Sequence, residues 1–327
     1  MISAARASRS VERWALAAVI VGLGLLFRPP TTQAQTPPSA GLVPWLGASS
    51  PGARALTGGL AQLRARGSRM IRVPASAFFM GSTTPEIEEA AALCQREPLA
   101  ERCGEQTFAD ELSLHHVRLS GYFLDRMEVT VAEYDACVRL GRCAAASYER
   151  GAARFKRPEF PVTRVSWDDA RAFCAFRGAR LPTEAEFERA ARGLTGRRYP
   201  WGNVPNGHLA NHGRLGLDES DPSDGFAELA PSGSFPDGRT PDGFLDLAGN
   251  AAEWVQDRYA EQYPETDARD PSGPDAVSAS GLRVVRGGSF TSALPRIRGA
   301  ARAAQPPNTR EPWLGFRCAR SRLEQAP

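Results

Sequence analysis

Once its first 34 residues are set aside, this sequence has no surplus charge of either sign. The 327 residues hold 40 Lys and Arg and 37 Asp and Glu. The opening segment contains Arg6, Arg9, Arg13 and Arg28 against Glu12 alone, which leaves 36 basic and 36 acidic side chains in the remainder. That balance removes the electrostatic case for nucleic acid or an anionic membrane as partner. Lysine is nearly missing too: Lys156 stands alone beside 39 arginines, a coding bias that carries no functional weight. The apolar run from Trp14 to Phe27 has 14 residues, short of the roughly 20 that span a bilayer as a helix. No C-x-x-C or Cys/His cluster has zinc-ligand spacing. His115, His116 and His208 have no partner spacing and read as ordinary surface or core side chains.

What is present is a globular composition, 42% hydrophobic and 24% charged, in a chain long enough to bury a sizeable core. Residues 1–34 read as a secretory signal: arginines up to Arg13, the apolar run, then Thr32-Gln33-Ala34 as a small-residue cleavage site. An uncleaved anchor is the alternative, with Arg28 as its support. Both readings take the chain out of the cytoplasm, secreted or periplasmic, with no transmembrane span after signal cleavage. An oxidising compartment permits disulfides. Cys94 and Cys103, and Cys137 and Cys143, are spaced as local clasps. Cys174 and Cys318 remain, and pairing them would tie the middle of the chain to its last strand.

Residues 35–69, rich in Pro, Gly, Ala and Ser, read as a flexible linker with a possible short helix near Ala55–Arg66. The folded domain is expected over 70–322. Strands are expected at Met70–Pro74, Ala77–Ser82, Val117–Leu119, Tyr122–Asp125, Leu282–Phe290 and Leu314–Ala319. Thr83–Asp110 reads as a surface excursion with a short helix. Three helices follow from their ends: Thr130 with Glu133 and a stop at Gly141, Ser166 with Asp169 and a stop near Gly178, Thr183 with Glu186 and a stop at Gly193. From Arg197 to Pro274 periodicity is lost, yet Tyr199, Trp201, Phe226, Phe235, Phe244 and Trp254 are spread through the segment. It reads as a long ordered loop region held by something besides regular hydrogen bonding.

Within it, Asp246-Leu247-Ala248-Gly249-Asn250-Ala251-Ala252-Glu253-Trp254 sets a carboxylate near each end of a loop whose Gly249 and Asn250 tolerate left-handed backbone. Carboxylates and inward carbonyls suit a hard cation such as calcium. A turn with solvated acids and a buried Trp254 fits the spacing equally.

Eight blocks, taken together and in order, resemble the formylglycine-generating enzyme, or sulfatase-modifying factor, family. They are Phe78–Ser82, Asp125–Tyr134, Pro161–Trp167, Arg180–Glu186, Tyr199–Asn203, Asp246–Trp254, Arg286–Phe290 and Gly315–Cys318. The resemblance implies an α+β fold of the elaborated C-type-lectin-like kind with little regular secondary structure. It also implies two calcium sites. The first falls on the Asn211 side chain, the His212 carbonyl, the Asp224 carboxylate and the Phe226 carbonyl, so the His212 imidazole is not a ligand. The second falls on Asp246, the Gly249 and Ala251 carbonyls and Glu253, with Asp246 replacing a family asparagine.

Family enzymes that make formylglycine resemble copper oxidases whose metal sits between two thiolates shortly after the Gly-Gly-Ser block. Here that span reads Thr291-Ser292-Ala293-Leu294-Pro295-Arg296-Ile297, without cysteine, and hydroxyls do not replace thiolates toward monovalent copper. Copper is therefore not expected. Cys318 matches a structural family cysteine with Cys174 as its partner. The family's other long disulfide falls on Ala191 and Gly299, and Ala252 stands where an aromatic lines the enzyme's peptide groove.

Three functions remain open on sequence. One is a calcium-stabilised binding or accessory module, monomeric, for a protein, peptide or small-molecule ligand. Another is a family oxidoreductase with altered chemistry. The last, a hydrolase using Ser289 or Ser292, lacks a positioned base.

Overall fold

The computed structural model describes residues 70–98, 103–148, 152–214, 221–263, 267–274 and 281–321. The expected signal, the linker and its possible helix lie outside them. Three sheets organise the described residues. The first joins β1 (Met70–Val73), β4 (Tyr122–Asp125) and β10 (Ala319–Ser321), all antiparallel. The second pairs β2 (Ser76–Met80) antiparallel with β3 (His115–Leu119), which runs parallel to the short β6 (Ala268–Arg269). The third has the order β8 (Arg302–Gln305), β7 (Arg283–Arg286), β5 (Ala252–Arg258), β9 (Leu314–Phe316), with β5 and β9 parallel.

Capping boxes set the helices. α1 (Thr84–Cys94), α2 (Val131–Arg139), α3 (Trp167–Phe176) and α4 (Glu184–Arg192) each begin after a Thr or Ser whose side chain accepts the N3 amide, while the N3 carboxylate returns to the cap. This satisfies two otherwise orphaned donors per helix. Gly193 ends α4 at φ 66°, a backbone that disfavours any side chain.

Two apolar clusters carry the packing. One gathers Tyr134, Phe173, Phe316, Trp254 and Trp167 around α2, α3 and the third sheet. The other gathers Phe78, Val117, Phe187, Phe244 and Val255 between α4 and the first two sheets. The indole of Trp254 donates to the Val165 carbonyl at 3.1 Å, and that of Trp167 to the Val255 carbonyl at 2.7 Å. The local clasps Cys94–Cys103 and Cys137–Cys143 form as their spacing suggests, and Cys174–Cys318 forms as the family resemblance implies.

The structure departs from the sequence reading in four places. The stretch taken as loop from Arg197 to Pro274 contains β5, the strand that joins both halves of the third sheet. Its first four residues are all buried, on both faces, so the polar alternation that would have marked it is missing. The span between Phe290 and Leu314, taken as irregular, contains β8. The Leu314–Ala319 strand is two strands, β9 and β10, which belong to different sheets. The Thr83–Asp110 excursion is only partly superficial, since Ile87, Ala90, Ala91 and Phe108 form a small core of their own with Cys94.

Helix α4 is the least expected element. All nine of its residues are buried, including Glu184, Glu186, Glu188, Arg189 and Arg192. Buried charges need partners, and they have them. Glu184 is paired with Arg286 and Arg302, and Glu188 with Arg286 and Arg192. Arg192 also reaches Glu86 on α1 at 2.6 Å. The helix therefore docks the second core through ion pairs as well as through Phe187.

Candidate functional site

The loop from Asp246 to Glu253 turns on three left-handed residues, Asp246 at φ 52°, Gly249 at 78° and Asn250 at 59°. Gly249 is required for a second reason: a Cβ there would lie 2.1 Å from the Asn211 carbonyl oxygen. Backbone amides stitch this loop to its neighbours. Asn250 N–H donates to Asn211 O at 2.7 Å, Gly249 N–H to Gly287 O at 2.9 Å, and Phe290 N–H to Asn250 O at 2.9 Å. The two residue sets expected to bind calcium and the Gly-Gly-Ser turn are thus one connected unit.

Asn250 is the hub. Its side-chain oxygen accepts from Asn211 Nδ2 and from Ala230 N–H, each at 3.0 Å, and its Nδ2 donates to Glu128 Oε1 at 3.0 Å. Sequence reasoning assigned no role to Asn250 beyond turn chemistry and none to Glu128. The available signal for Glu128 was an acid between Met127 and Val129, where burial would demand a partner.

The acids of the loop are not solvated, which excludes the simple-turn alternative. Asp246 is 7% exposed, and Glu253 and Glu128 are fully buried. Asp246 Oδ2 accepts the Gly233 amide at 2.6 Å. Glu253 holds the fully buried Arg317, whose Nη2 and Nε reach its two oxygens at 2.6 and 2.7 Å. Arg317 spends its remaining donors on the Leu245 and Asp246 carbonyls, at 3.0 and 2.9 Å, and more loosely on those of Asp125 and Arg126.

Three buried carboxylates therefore share one guanidinium. Burial, then the neighbouring Asp246 and Glu253 charges, pushes the Glu128 carboxyl well above its ordinary range. Burial likewise raises Asp246 and Glu253, against the opposing pull of Arg317. A side-chain hydrogen bond links the Glu128 and Asp246 carboxyls, with Glu128 the one pushed up. A proton held between them relieves the buried charge, as a bound cation would.

In the other set, Asn211 is 1% exposed and its Oδ1 is also buried without a partner. The Asp224 carboxylate accepts the amides of His212 at 2.7 Å and Phe226 at 2.9 Å, so the backbone of all four residues converges. The His212 ring is turned away, with Nδ1 2.8 Å from the Gly213 carbonyl. Among the described residues no three His, Cys, Asp or Glu side chains are arranged to hold a metal by themselves. A cation would draw on the Asn211 amide, the Asp224 carboxylate and two carbonyls in one set, and on two carboxylates and two carbonyls in the other, donor mixtures that suit calcium.

Beside this unit, the Gly-Gly-Ser turn opens a cleft of about 360 Å³ between Ala252, Val285, Ser289, Thr291, Ser292 and Trp313, with Arg296 and Arg302 at its wall. The hydroxyls bond one another: Ser289 Oγ lies 2.9 Å from Thr291 Oγ1, and Ser292 Oγ accepts the Ser289 amide at 3.0 Å. Among the described residues no His, Asp or Glu, the kind of base a serine nucleophile needs, lines the cleft. All six cysteines are in disulfides, and no thiol faces the cleft.

Comparison with known proteins agrees with this architecture. The sulfatase-modifying factor enzyme 1-like domain matches residues 59–322, beginning ahead of β1. The formylglycine-generating enzyme of Bos taurus is 29% identical over 309 residues, covering 78% of this chain and 75% of that protein. The formylglycine-generating enzyme of Thermomonospora curvata is 40% identical over 183 residues, 52% of this chain and 58% of its own length. The inactive C-alpha-formylglycine-generating enzyme 2 of Bos taurus is 41% identical over 168 residues, 49% of this chain and 50% of that one. The alignments with these last two thus span only about half the length of each relative. Among solved structures, PvdO from Pseudomonas aeruginosa superposes with a TM-score of 0.61 at 25% identity over 77% of this chain and 94% of that chain. Treponema denticola variable protein 1 shares the fold, with a TM-score of 0.57 at 21% identity, 77% of this chain and 95% of that one. The family match covers most of the sequence and every described element, and the chain belongs to the sulfatase-modifying factor enzyme 1-like domain family.

Proposed function

We propose that this chain is an exported, calcium-stabilised member of its family that lacks copper-thiolate formylglycine-generating activity and serves as a binding or accessory module. The observation that carries this reading is the state of the cysteines. Each is committed to a disulfide, and the cleft beside the Gly-Gly-Ser turn presents hydroxyls in place of thiolates. Monovalent copper selects soft sulfur ligands, which hydroxyls do not replace. A relative of comparable identity bears the name of an inactive formylglycine-generating enzyme. Three disulfides suit an oxidising compartment, in keeping with export.

Calcium would be held by the Asn211 side chain, the His212 and Phe226 carbonyls and Asp224 in one set. In the other it would be held by Asp246, the Gly249 and Ala251 carbonyls and Glu253. The partnerless, buried Asn211 Oδ1 and the crowding of the Asp246, Glu253 and Glu128 carboxyls favour a bound cation in this unit. When bound, calcium supplies no reaction chemistry; it offsets buried negative charge and fixes loops that lack regular hydrogen bonding. Ala252 and Trp313 leave the cleft open to a peptide or small-molecule ligand.

The deciding experiment incubates purified, copper-supplemented protein with a Cys-x-Pro-x-Arg peptide beside a cysteine-bearing family enzyme as control. Mass spectrometry reads thiol-to-aldehyde conversion. No conversion with an active control is the expected result; conversion by this chain would overturn the reading.

A further inference from the structure

Arg258 and Arg283 are direct cross-strand partners where β5 meets β7. Like charges opposite one another on a sheet repel, a cost that a bound anion would offset. Among the described residues neither guanidinium forms an ion pair with a carboxylate; the Trp167 ring and, weakly, Asp168 and Asp257 act on Arg283.

Both arginines line a cleft of about 430 Å³ with Trp167, Arg171, Leu181 and Gln256, a volume in the range of small-molecule sites. Arg283 cannot swing away to relieve the repulsion. Its guanidinium lies 3.6 Å from the centroid of the Trp167 ring, and its Nη1 donates to the Gln256 carbonyl at 2.9 Å. Trp167 is pinned in turn by its bond to Val255 O. Arg171, across the same indole at 5.3 Å, has only an exposed contact with Asp168 at 3.3 Å. Arg180 also reaches the cleft, but both arms of its fork are taken by Glu186, at 2.7 and 2.6 Å. Burial, then Arg258, holds the Arg283 pKa below its ordinary value, as expected for a cation lacking its counter-charge.

We propose that this cleft is an oxyanion-binding site, in which Arg258, Arg283 and Arg171 receive the phosphate or sulfate group of a monoester whose apolar part rests on Ala175 and Ala179. A planar carboxylate satisfies one guanidinium fork, whereas a tetrahedral group offers three free oxygens to several donors at once. The site is separate from the hydroxyl-lined cleft and from the calcium sets, and stands whatever their occupancy.

The test measures thermal unfolding and calorimetric binding of the full chain with inorganic phosphate, inorganic sulfate, acetate and chloride at matched ionic strength. Phosphate or sulfate should raise the melting temperature saturably above chloride, and the better of the two identifies the ester. Arg258→Gln should weaken that binding at least ten-fold while leaving the anion-free melting temperature equal or higher, because it removes the cross-strand repulsion. Arg171→Gln, on an exposed side chain, should weaken binding without disturbing the fold. An oxyanion effect no larger than that of chloride, an acetate effect equal to that of phosphate and sulfate, or undiminished binding by Arg258→Gln would each overturn the proposal.

Discussion

Ala191 and Gly299, 108 residues apart in the sequence, lie side by side: a Cβ built on Gly299 falls 3.4 Å from the Cβ of Ala191. That is about the Cβ separation a disulfide requires, at the two positions where the family resemblance places a long-range bridge that this chain lacks. Both cysteines are absent together, and the packing has closed over the gap. The same built Cβ lies 2.6 Å from Arg192 Cγ, and Arg192 is held by Glu86 and Glu188.

The double variant Ala191→Cys with Gly299→Cys should therefore crosslink on oxidation, read as a disulfide-linked peptide pair by mass spectrometry. Gly299→Ala alone should destabilise the fold by about 1–3 kcal/mol through overpacking against Arg192, read by urea unfolding. Wild-type stability in Gly299→Ala would show that Arg192 moves aside freely.

Glu184 binds Arg286 and Arg302 and accepts from Tyr263 at 2.9 Å, all out of solvent. Burial alone would raise its carboxyl, but Arg302 and Arg286 outweigh burial and hold it below its ordinary value. A lowered carboxyl stabilises above its unfolded value of about 4.3 and loses that contribution as pH falls through the folded value. Glu184→Gln should cost about 3–5 kcal/mol at neutral pH by stranding the buried Arg302 and leaving Arg286 with Glu188 alone. The deficit should shrink toward acid, measured by denaturant titration across pH.

Asp257 acts in the opposite sense. It is buried, accepts the Glu184 amide at 2.9 Å and faces Glu184, Glu186 and Arg302. Burial, then the Glu184 charge, pushes its carboxyl well up. The folded state therefore binds the proton more tightly, so stability is fully present below about pH 4 and declines as pH rises toward the folded value. Asp257→Asn keeps the acceptor for the Glu184 amide and should raise the melting temperature at pH 7, with the gain vanishing below about pH 4. A lower melting temperature at pH 7 would contradict this account.

Chelation should lower the melting temperature clearly, and restored calcium should return it. Asn211→Ala should blunt that response in one set and Asp246→Ala in the other, read by differential scanning calorimetry with and without chelator. An unchanged melt in chelator would sink both calcium sets.

The local chemistry of this protein was legible in its sequence. Thr130, Ser166 and Thr183 with their N3 acids fixed three helix starts, because a capping box is satisfied within four residues. Cysteine spacing pointed to the two local disulfides, the family resemblance to Cys174–Cys318, and Gly249 with Asn250 marked the left-handed turn. Order and identity of eight blocks identified the family, and with it the convergence of Asn211, His212, Asp224 and Phe226. Tertiary structure decided the rest, since it depends on what a segment packs against. β5 shows no alternation because both of its faces are covered. Only the ends of α4 could be read locally; that its carboxylates are buried against Arg286 and Arg302, far along the chain, could not. The pairing of Glu253 with Arg317 has no sign in the sequence, and Glu128, apart from the loop in sequence, is brought to it by Asn250. The facing of Arg258 and Arg283 follows from strand register, which is set by long-range pairing and leaves no mark in either strand alone.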